Sequence, residues 1–471
     1  MPTGAMASAE EIAELRRQMQ ILLDRVDELE AKEAANKKKI ADVERAQVVT
    51  KDGITPLPRP SGIIKTRKRT SPDELDPLIG RVFAVGDTQI EVGGFTKLDL
   101  IFDPDEAAGE DLFNPAAITV EPGTDANSFS AHAKETRFFV KSATPVDVGT
   151  VRTHIEADFF SDTGPANELV TNSFGFRLRH AYGEFDTDRH NVIAGQFWSA
   201  FVPIEAYPVT VDFGGPAGNT FLRQAQLRYT YRPTDEASLF VSVENSETDF
   251  RIGPLEEFGP FAGTFSGPFS ESLSGASSVG LRAGVDVIPD FVVGGKYVGD
   301  RATWRLAALF RQLNAPDSDS SDFAFGIQGA AKIAITDKTE LRTSFTYGEG
   351  VGRYIFQGVG QGGFVTPGAS GALPQVADGT IEAIEHVSGF AKLSYDLSDD
   401  VELAAVYGHY ELLDAFTDFD TERLQTVHGT VYYKPFDDIT VGNEVIWGRR
   451  ELANGLSDAA IRFQSSVKYT F

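Results

Sequence analysis

The 471-residue chain has no cysteine and only three methionines. A disulfide scaffold, a thiolate zinc site and a thiol nucleophile are therefore excluded. Positive charge is scarce, with 43 Lys and Arg against 69 Asp and Glu and a net charge of −26. Such a balance does not suit a nucleic-acid partner, whose phosphates call for a basic surface. Long apolar runs are missing as well. The uncharged stretch 355–377 is filled with Gly, Gln and Pro, whereas a spanning helix needs about 20 mostly apolar residues. A membrane barrel survives these exclusions, because its strands alternate and never build a long apolar run. The opening residues, Met1 to Ala7, lack the basic start and apolar core of a secretion leader. The chain is thus expected to be intracellular, or a mature form behind extraneous first residues, and the remaining sequence favours the second.

What is plentiful is glycine, at 45 residues, and phenylalanine, at 35. The first fifty residues carry a heptad: Ile12, Leu15, Met19, Leu22, Val26 and Leu29 are spaced three and four apart. Continued, the same register meets Glu33, Asn36, Ile40, Val43 and Gln47. A narrow apolar seam on a seven-residue repeat predicts a coiled coil over 1–50 rather than a helix docked on its own domain. Branched a positions lean towards a dimer, but the polar seam residues weaken that inference. Pro56, Pro58 and Pro60 then stop the helix, and Lys65, Arg67, Lys68 and Arg69 make a basic knot in a linker spanning 51–87. A charged tether explains that knot better than a nuclear-localisation signal does.

From Thr88 onward the period becomes two. Val151, Ile155 and Phe159 alternate with Arg152, His154, Glu156 and Asp158, and Phe174, Phe176, Leu178 and Tyr182 alternate with Arg177 and Arg179. Ala225, Leu227, Tyr229 and Tyr231 alternate with Gln226 and Arg228, and Trp304, Leu306 and Phe310 with Arg305 and Arg311. Sixteen such segments are predicted: 88–102, 135–143, 149–158, 174–185, 191–198, 221–231, 237–247, 289–298, 302–313, 323–335, 340–348, 384–397, 401–411, 424–434, 439–448 and 460–471. Short turns alternate with mostly long connections. An even strand count with turns at one end and loops at the other predicts a 16-stranded antiparallel transmembrane β-barrel over 88–471, preceded by the helical coil. Sixteen strands enclose a water-filled channel, so the inward charges are expected to be solvated. A propeller would repeat every 40–50 residues or so, and no such repeat is present. Tyr229, Tyr231, Tyr395, Tyr432, Tyr433 and Tyr469 fall near strand ends, as an interfacial girdle would.

The last five residues, Val467-Lys468-Tyr469-Thr470-Phe471, resemble the terminal assembly signal of bacterial outer-membrane proteins, with Tyr469 and Phe471 at alternate positions. Together with the coil, the basic Pro-containing linker and Gly195-Gln196-Phe197-Trp198-Ser199-Ala200-Phe201, the chain resembles the DcaP-like porins. That resemblance implies a trimeric outer-membrane channel associated with dicarboxylate uptake. It also implies coils meeting in the periplasm, lipopolysaccharide and membrane lipid around the barrel, and a cell-wall contact through the coil. Residues 199–220 join the fifth and sixth strands, from which general porins fold a loop into the pore. Glu205 and Asp212-Phe213-Gly214 are expected in that constriction loop, facing arginines across a narrow waist.

Strand parity places Arg137, Arg152, Arg177, Arg179, Arg223, Arg228, Arg305, Arg311 and Arg462 on the polar, inward face. Guanidinium stays charged and grips carboxylates in two-point fashion. The expected function is therefore passive diffusion of small hydrophilic solutes, with anions and first of all dicarboxylates preferred. A non-conducting structural or adhesin-like barrel and an outer-membrane enzyme are the alternatives. The enzyme would need a nucleophile constellation that is not found. No cofactor or metal is expected. Gly358–Gly363 lacks the strand-then-helix context of a dinucleotide loop, and the seven histidines are dispersed. Glu156 and Asp158 read as partners of Arg177 and Arg179 rather than a hydrolytic pair. Asp103, Asp105, Glu106, Glu110 and Asp111 do not have the spacing of a calcium loop.

Overall fold

Successive side chains of a strand point to opposite faces, so a segment alternating large apolar and charged residues exposes one set and covers the other. In this chain the apolar set is the exposed one. Trp304, Leu306 and Phe310 are 52%, 61% and 40% exposed, while the intervening Arg305 and Arg311 are buried. That inside-out pattern suits a sheet that closes on itself with lipid outside. The computed structural model describes residues 81–471 apart from 106–107, 121–126, 162–173, 253–281, 284–285, 316–318, 359–362, 369–374 and 419. The heptad positions Ile12, Leu15, Met19, Leu22, Val26 and Leu29 and the basic knot lie outside the described residues. No described helix is long and apolar enough to cross a membrane.

Sixteen antiparallel strands form the barrel. The first eight are β1 (Thr88–Asp103), β2 (Ser128–His132 and Arg137–Val146), β3 (Gly149–Ser161), β4 (Gly175–Asp186), β5 (His190–Trp198), β6 (Arg223–Tyr231), β7 (Ala237–Glu244) and β8 (Asp290–Val298). The others are β9 (Ala302–Asn314), β10 (Ser321–Ala334), β11 (Thr339–Glu349), β12 (Glu385–Ser398), β13 (Val401–Leu412), β14 (Thr421–Phe436), β15 (Ile439–Leu452) and β16 (Ser457–Thr470). Each pairs with its neighbours in chain order, and β1 closes the ring on β16 through Phe95↔Thr470 to Phe102↔Phe463. Both ends of the barrel chain lie on the short-turn side. There Tyr229, Tyr297, Tyr395, Tyr433 and Tyr469 are exposed, where amphipathic rings suit an interface. Tyr432 does not join them; it lines the interior.

Three features depart from simple alternation. A short strand, Arg81–Val85, turns back through Gly86, whose φ of 61° suits glycine, and pairs with the start of β1. It extends the barrel below the point where Phe471 exchanges backbone hydrogen bonds with Gly94. A β-bulge between β3 and β4 pairs Glu156 with His180 and Ala157 with Leu178, leaving Arg179 as the additional residue. Beyond it parity flips, so Arg179 and His180 are both buried and Tyr182 turns inward onto Phe197 instead of facing lipid with Phe176 and Leu178. The third departure is the lumen, where the inward charges have protein partners and are not simply solvated. Arg462 of β16 is fully buried and grips Asp103 of β1 with two hydrogen bonds of 2.8 Å. Arg462→Ala leaves that carboxylate uncompensated and is expected to cost about 3–5 kcal/mol. The expected readout is a lower temperature for loss of the heat-resistant barrel on electrophoresis; an unchanged temperature contradicts the assignment.

Candidate functional site

The connection between β5 and β6 runs across the lumen, and its backbone is held by side chains from the wall all around. Arg342 of β11 donates to the Tyr207 carbonyl at 3.1 Å. Lys392 of β12 reaches the Val209 carbonyl at 2.7 Å, and Lys97 of β1 the Val211 carbonyl at 2.8 Å. Arg305 of β9 donates to the Ala200 carbonyl, and Arg228 of β6 to that of Trp198. Carboxylates take the N–H groups: Glu244 accepts from Ala200 at 2.7 Å, and Glu444 from Val211 at 3.1 Å and Asp212 at 3.2 Å. Thr426 accepts from Ala217 at 2.9 Å. An inward loop must satisfy its buried peptide groups, and here strand side chains do so.

The loop tip lies flat on β12 and β13. Gly218 has φ of 75°, and a Cβ there would strike the His409 carbonyl. Two further segments pack beside it. Phe221 donates to the Tyr354 carbonyl at 3.0 Å and Phe356 to that of Asn219 at 3.1 Å, tying 350–358 to the crossing loop. Phe113 donates to Asp212 at 2.7 Å, tying in 108–118. Phe201, Ala217, Val351, Tyr354 and Ile355 form an apolar cluster with inward Leu309, Tyr410 and Leu424. The long-loop half of the lumen is thus partly filled.

Glu205 and Asp212 each lie beside an inward arginine, Arg305 and Arg462 respectively, at 3.8 and 3.9 Å. Glu205 meets Lys296 at 3.0 Å and Arg305 at 3.8 Å. Burial works against its ionisation, but Lys296 and then Arg305 hold its carboxyl down at about 2. Asp212 is buried and accepts from Phe113, from Gly214 at 2.8 Å and from Gly215 at 3.2 Å. Burial pushes its carboxyl up to about 6, with Arg462 pulling it back and Glu444 adding to the rise. Asp212 therefore knots the loop onto itself, its carboxylate buried among loop N–H groups. Phe213 stacks on Phe160 at 4.4 Å, under the guanidinium of Arg177.

The nine arginines separate into three groups. Arg311 and Arg462 have fully buried side chains and tether loops: Arg311 binds Asp290 at 3.2 Å and the Gly350 carbonyl at 2.7 Å. Arg228 and Arg305 hold the crossing loop, and Arg152 pairs with Asp186 at 2.9 Å near the short turns. These five hold loop or strand partners in the structure. The remaining four converge. Arg177 grips Asp158 at 2.9 and 2.8 Å, and Arg179 bridges Glu156 at 2.6 Å and Asp158 at 2.8 Å. Arg137 approaches Glu156 at 3.6 Å. Arg223 lies within electrostatic reach of Arg179, Arg177, Asp158 and Arg137. Four guanidiniums thus surround two carboxylates on one stretch of wall.

Between this wall and the loop lies a cavity of about 190 Å³, lined by Arg137, Arg179, His180, Trp198, Tyr207 and Phe221 among others. A second, of about 450 Å³, opens at the short-turn end, and the two share Val209, Tyr432, Thr440 and Lys468. Together they trace a path from the waist to that mouth. Parity alone could have pointed to Lys97, Arg342 and Lys392. Nothing in the sequence marks Tyr207 or Phe221 as lining residues, because they lie in the loop.

The family model described as Porin subfamily matches residues 83–467. Among solved structures, the outer membrane channel DcaP of Acinetobacter baumannii aligns with a TM-score of 0.64 at 20% identity, covering 82% of this chain and 99% of that one. An anion-selective porin from Comamonas acidovorans aligns with a TM-score of 0.51 at 9% identity, over 82% and 100% of the two chains. Salmonella typhi OmpF, in complex with daunomycin, gives 0.51 at 10% identity, over 83% and 100%. No curated protein matches the sequence.

Proposed function

The chain belongs to the porin subfamily, whose fold is that of an outer-membrane channel rather than an enzyme, and from this premise we propose that it is a general diffusion porin preferring small anions, dicarboxylates first. The observation that carries the preference is the cluster of four guanidiniums, Arg137, Arg177, Arg179 and Arg223, around Glu156 and Asp158, from which Arg137 and Arg179 reach the lining of the waist cavity. Charged rings at a constriction select by field, and weak multiple contacts let the solute leave again. The inward loop narrows the path so that solutes pass close to the arginine wall. The assembly is a homotrimer in lipopolysaccharide-containing membrane, with the N-terminal coils on the periplasmic, short-turn side.

Swelling of liposomes carrying the full-length protein tests this. Succinate should enter faster than a neutral sugar of the same size, and equal or slower entry would refute the preference. The apolar loop cluster at the long-loop end supports a second reading, a non-conducting structural barrel. Absence of swelling with every solute would select it.

A further inference from the structure

At the long-loop ends of β13, β14 and β15 the outward face of the wall changes from apolar to ionic. On β14 the outward Val431 and Val427 are exposed, and Arg423 follows at the same parity. On β13 Tyr407 gives way to His409 and Glu411, and on β15 Val445 and Trp447 give way to Arg449 and Glu451. The intervening Tyr410, Leu412, Leu424, Arg450 and Leu452 are buried, which fixes the parity. The outward charges form one chain. Glu411 accepts from Arg423 at 2.8 Å and meets His409 at 3.0 Å, while Glu451 accepts from Arg423 at 3.3 Å and meets Arg449 at 3.2 Å. Arg449 also donates to Ser457 at 3.0 Å through the same Nη2, so its Nε and Nη1 have no acceptor among the described residues. Its side chain is 40% exposed and that of Arg423 31%.

Height along the barrel identifies what lies beside this patch. Arg423 and Tyr433, an exposed ring of the short-turn girdle, are ten positions apart on β14. At about 3.3 Å per residue and a strand tilt of about 40°, that spacing is a rise of about 25 Å, the height of a barrel's apolar band. A lipid-facing arginine is costly at the midplane and nearly neutral at the interface. Tyr407, whose hydroxyl accepts from Gln425 at 2.9 Å, and Trp447 both pair with Val427 just below the ions, where aromatic rings mark an interface. The patch therefore stands in the headgroup layer on the long-loop side, which in an outer membrane is the outer leaflet.

We propose that Arg423 and Arg449 bind the phosphate of an outer-leaflet lipid, the phosphorylated sugar head of lipopolysaccharide, and so seat one lipid on the wall formed by β13 to β15. Guanidinium recognises phosphate by two-point hydrogen bonding. Glu411 and Glu451 hold the two guanidiniums in place, and the spare donors of Arg449 supply the bonds. Two arginines against two carboxylates leave little long-range field, so a dissolved anion is not drawn to the patch. A lipid phosphate is already confined to the same plane, at high effective concentration. The acyl chains then run down the apolar stripe of Val427, Val431 and Val445. The site rests on the outer-membrane placement of the barrel and not on which solutes the pore passes.

Native mass spectrometry of the full-length protein in detergent, mixed with lipid A carrying two phosphates or with its dephosphorylated form, tests this. The native protein should retain the phosphorylated lipid and lose the other. Arg423→Gln combined with Arg449→Gln should weaken retention about tenfold, the loss of one charge-assisted contact, and the corresponding double lysine variant should fall between the two. Equal retention of both lipids by the native protein, or unchanged retention by the glutamine variant, overturns the site. Full displacement by millimolar inorganic phosphate overturns a lipid as its occupant. A glutamine variant that falls from oligomer to monomer places a second copy on the patch and overturns the proposal as well. Should that variant give no heat-resistant barrel, the lysine variant decides, and unchanged retention refutes the site. The zero-current potential should be the same in native and variant channels, so a cation-preferring native pore refutes the anion preference and leaves lipid retention to be judged by itself.

Discussion

A chain in which residues 208–217 are replaced by a short Gly-Ser linker should conduct several-fold more current than the native protein, with its barrel intact. The segment removed is the part of the crossing loop that Lys97, Lys392, Glu444 and Thr426 hold against the wall. The strands themselves pair continuously from β1 round to β16 without it. The released side chains then face a wider, water-filled lumen, where hydration replaces the loop's peptide groups. Unsatisfied buried groups are costly, but none of these groups stays buried once the loop is gone. Discrimination should fall as current rises, because solutes no longer pass close to the arginine wall. An unchanged conductance would show that the constriction lies elsewhere, for example in the Phe201–Tyr354 cluster.

The second large effect is electrical. Arg137→Gln combined with Arg223→Gln leaves Arg177 and Arg179 against Glu156 and Asp158, two charges of each sign. The anion preference should collapse to near neutrality. Arg177 and Arg179 are retained deliberately, since they make the close bonds to both carboxylates, and their removal would leave buried anions unpaired. Arg137 contributes a longer contact, 3.6 Å to Glu156, and Arg223 no ion pair among the described residues. A preference that persists in the double variant would move its origin to Lys97 and Lys468, which line the same cavity.

Much of the barrel was legible because alternation is a local signal repeated sixteen times. The segment 302–313 predicted from Trp304, Leu306 and Phe310 against Arg305 and Arg311 is strand Ala302–Asn314. Turn positions such as Asp399-Asp400 followed from the same periodicity. Parity failed where a bulge inserted one residue: Tyr182 reads as lipid-facing by counting and lies inward by structure. The upstream strand Arg81–Val85 escaped notice because it is short and follows a linker-like sequence. The site was less legible for a different reason. Parity says that an arginine points inward but not what it meets there, and several partners are distant in sequence. Arg462 meets Asp103, 359 positions away, and Arg305 meets the carbonyl of Ala200. So the nine inward arginines read alike from sequence, yet Arg311 and Arg462 are tethers, Arg228 and Arg305 are loop clamps, and Arg223 is unpaired among the described residues.

The zero-current potential of the native channel, in a bilayer separating dilute from concentrated KCl, tests the central claim most directly. The four guanidiniums clustered around Glu156 and Asp158 predict a potential of the sign set by chloride moving down its gradient. A potential of the opposite sign, set by potassium, would contradict the account.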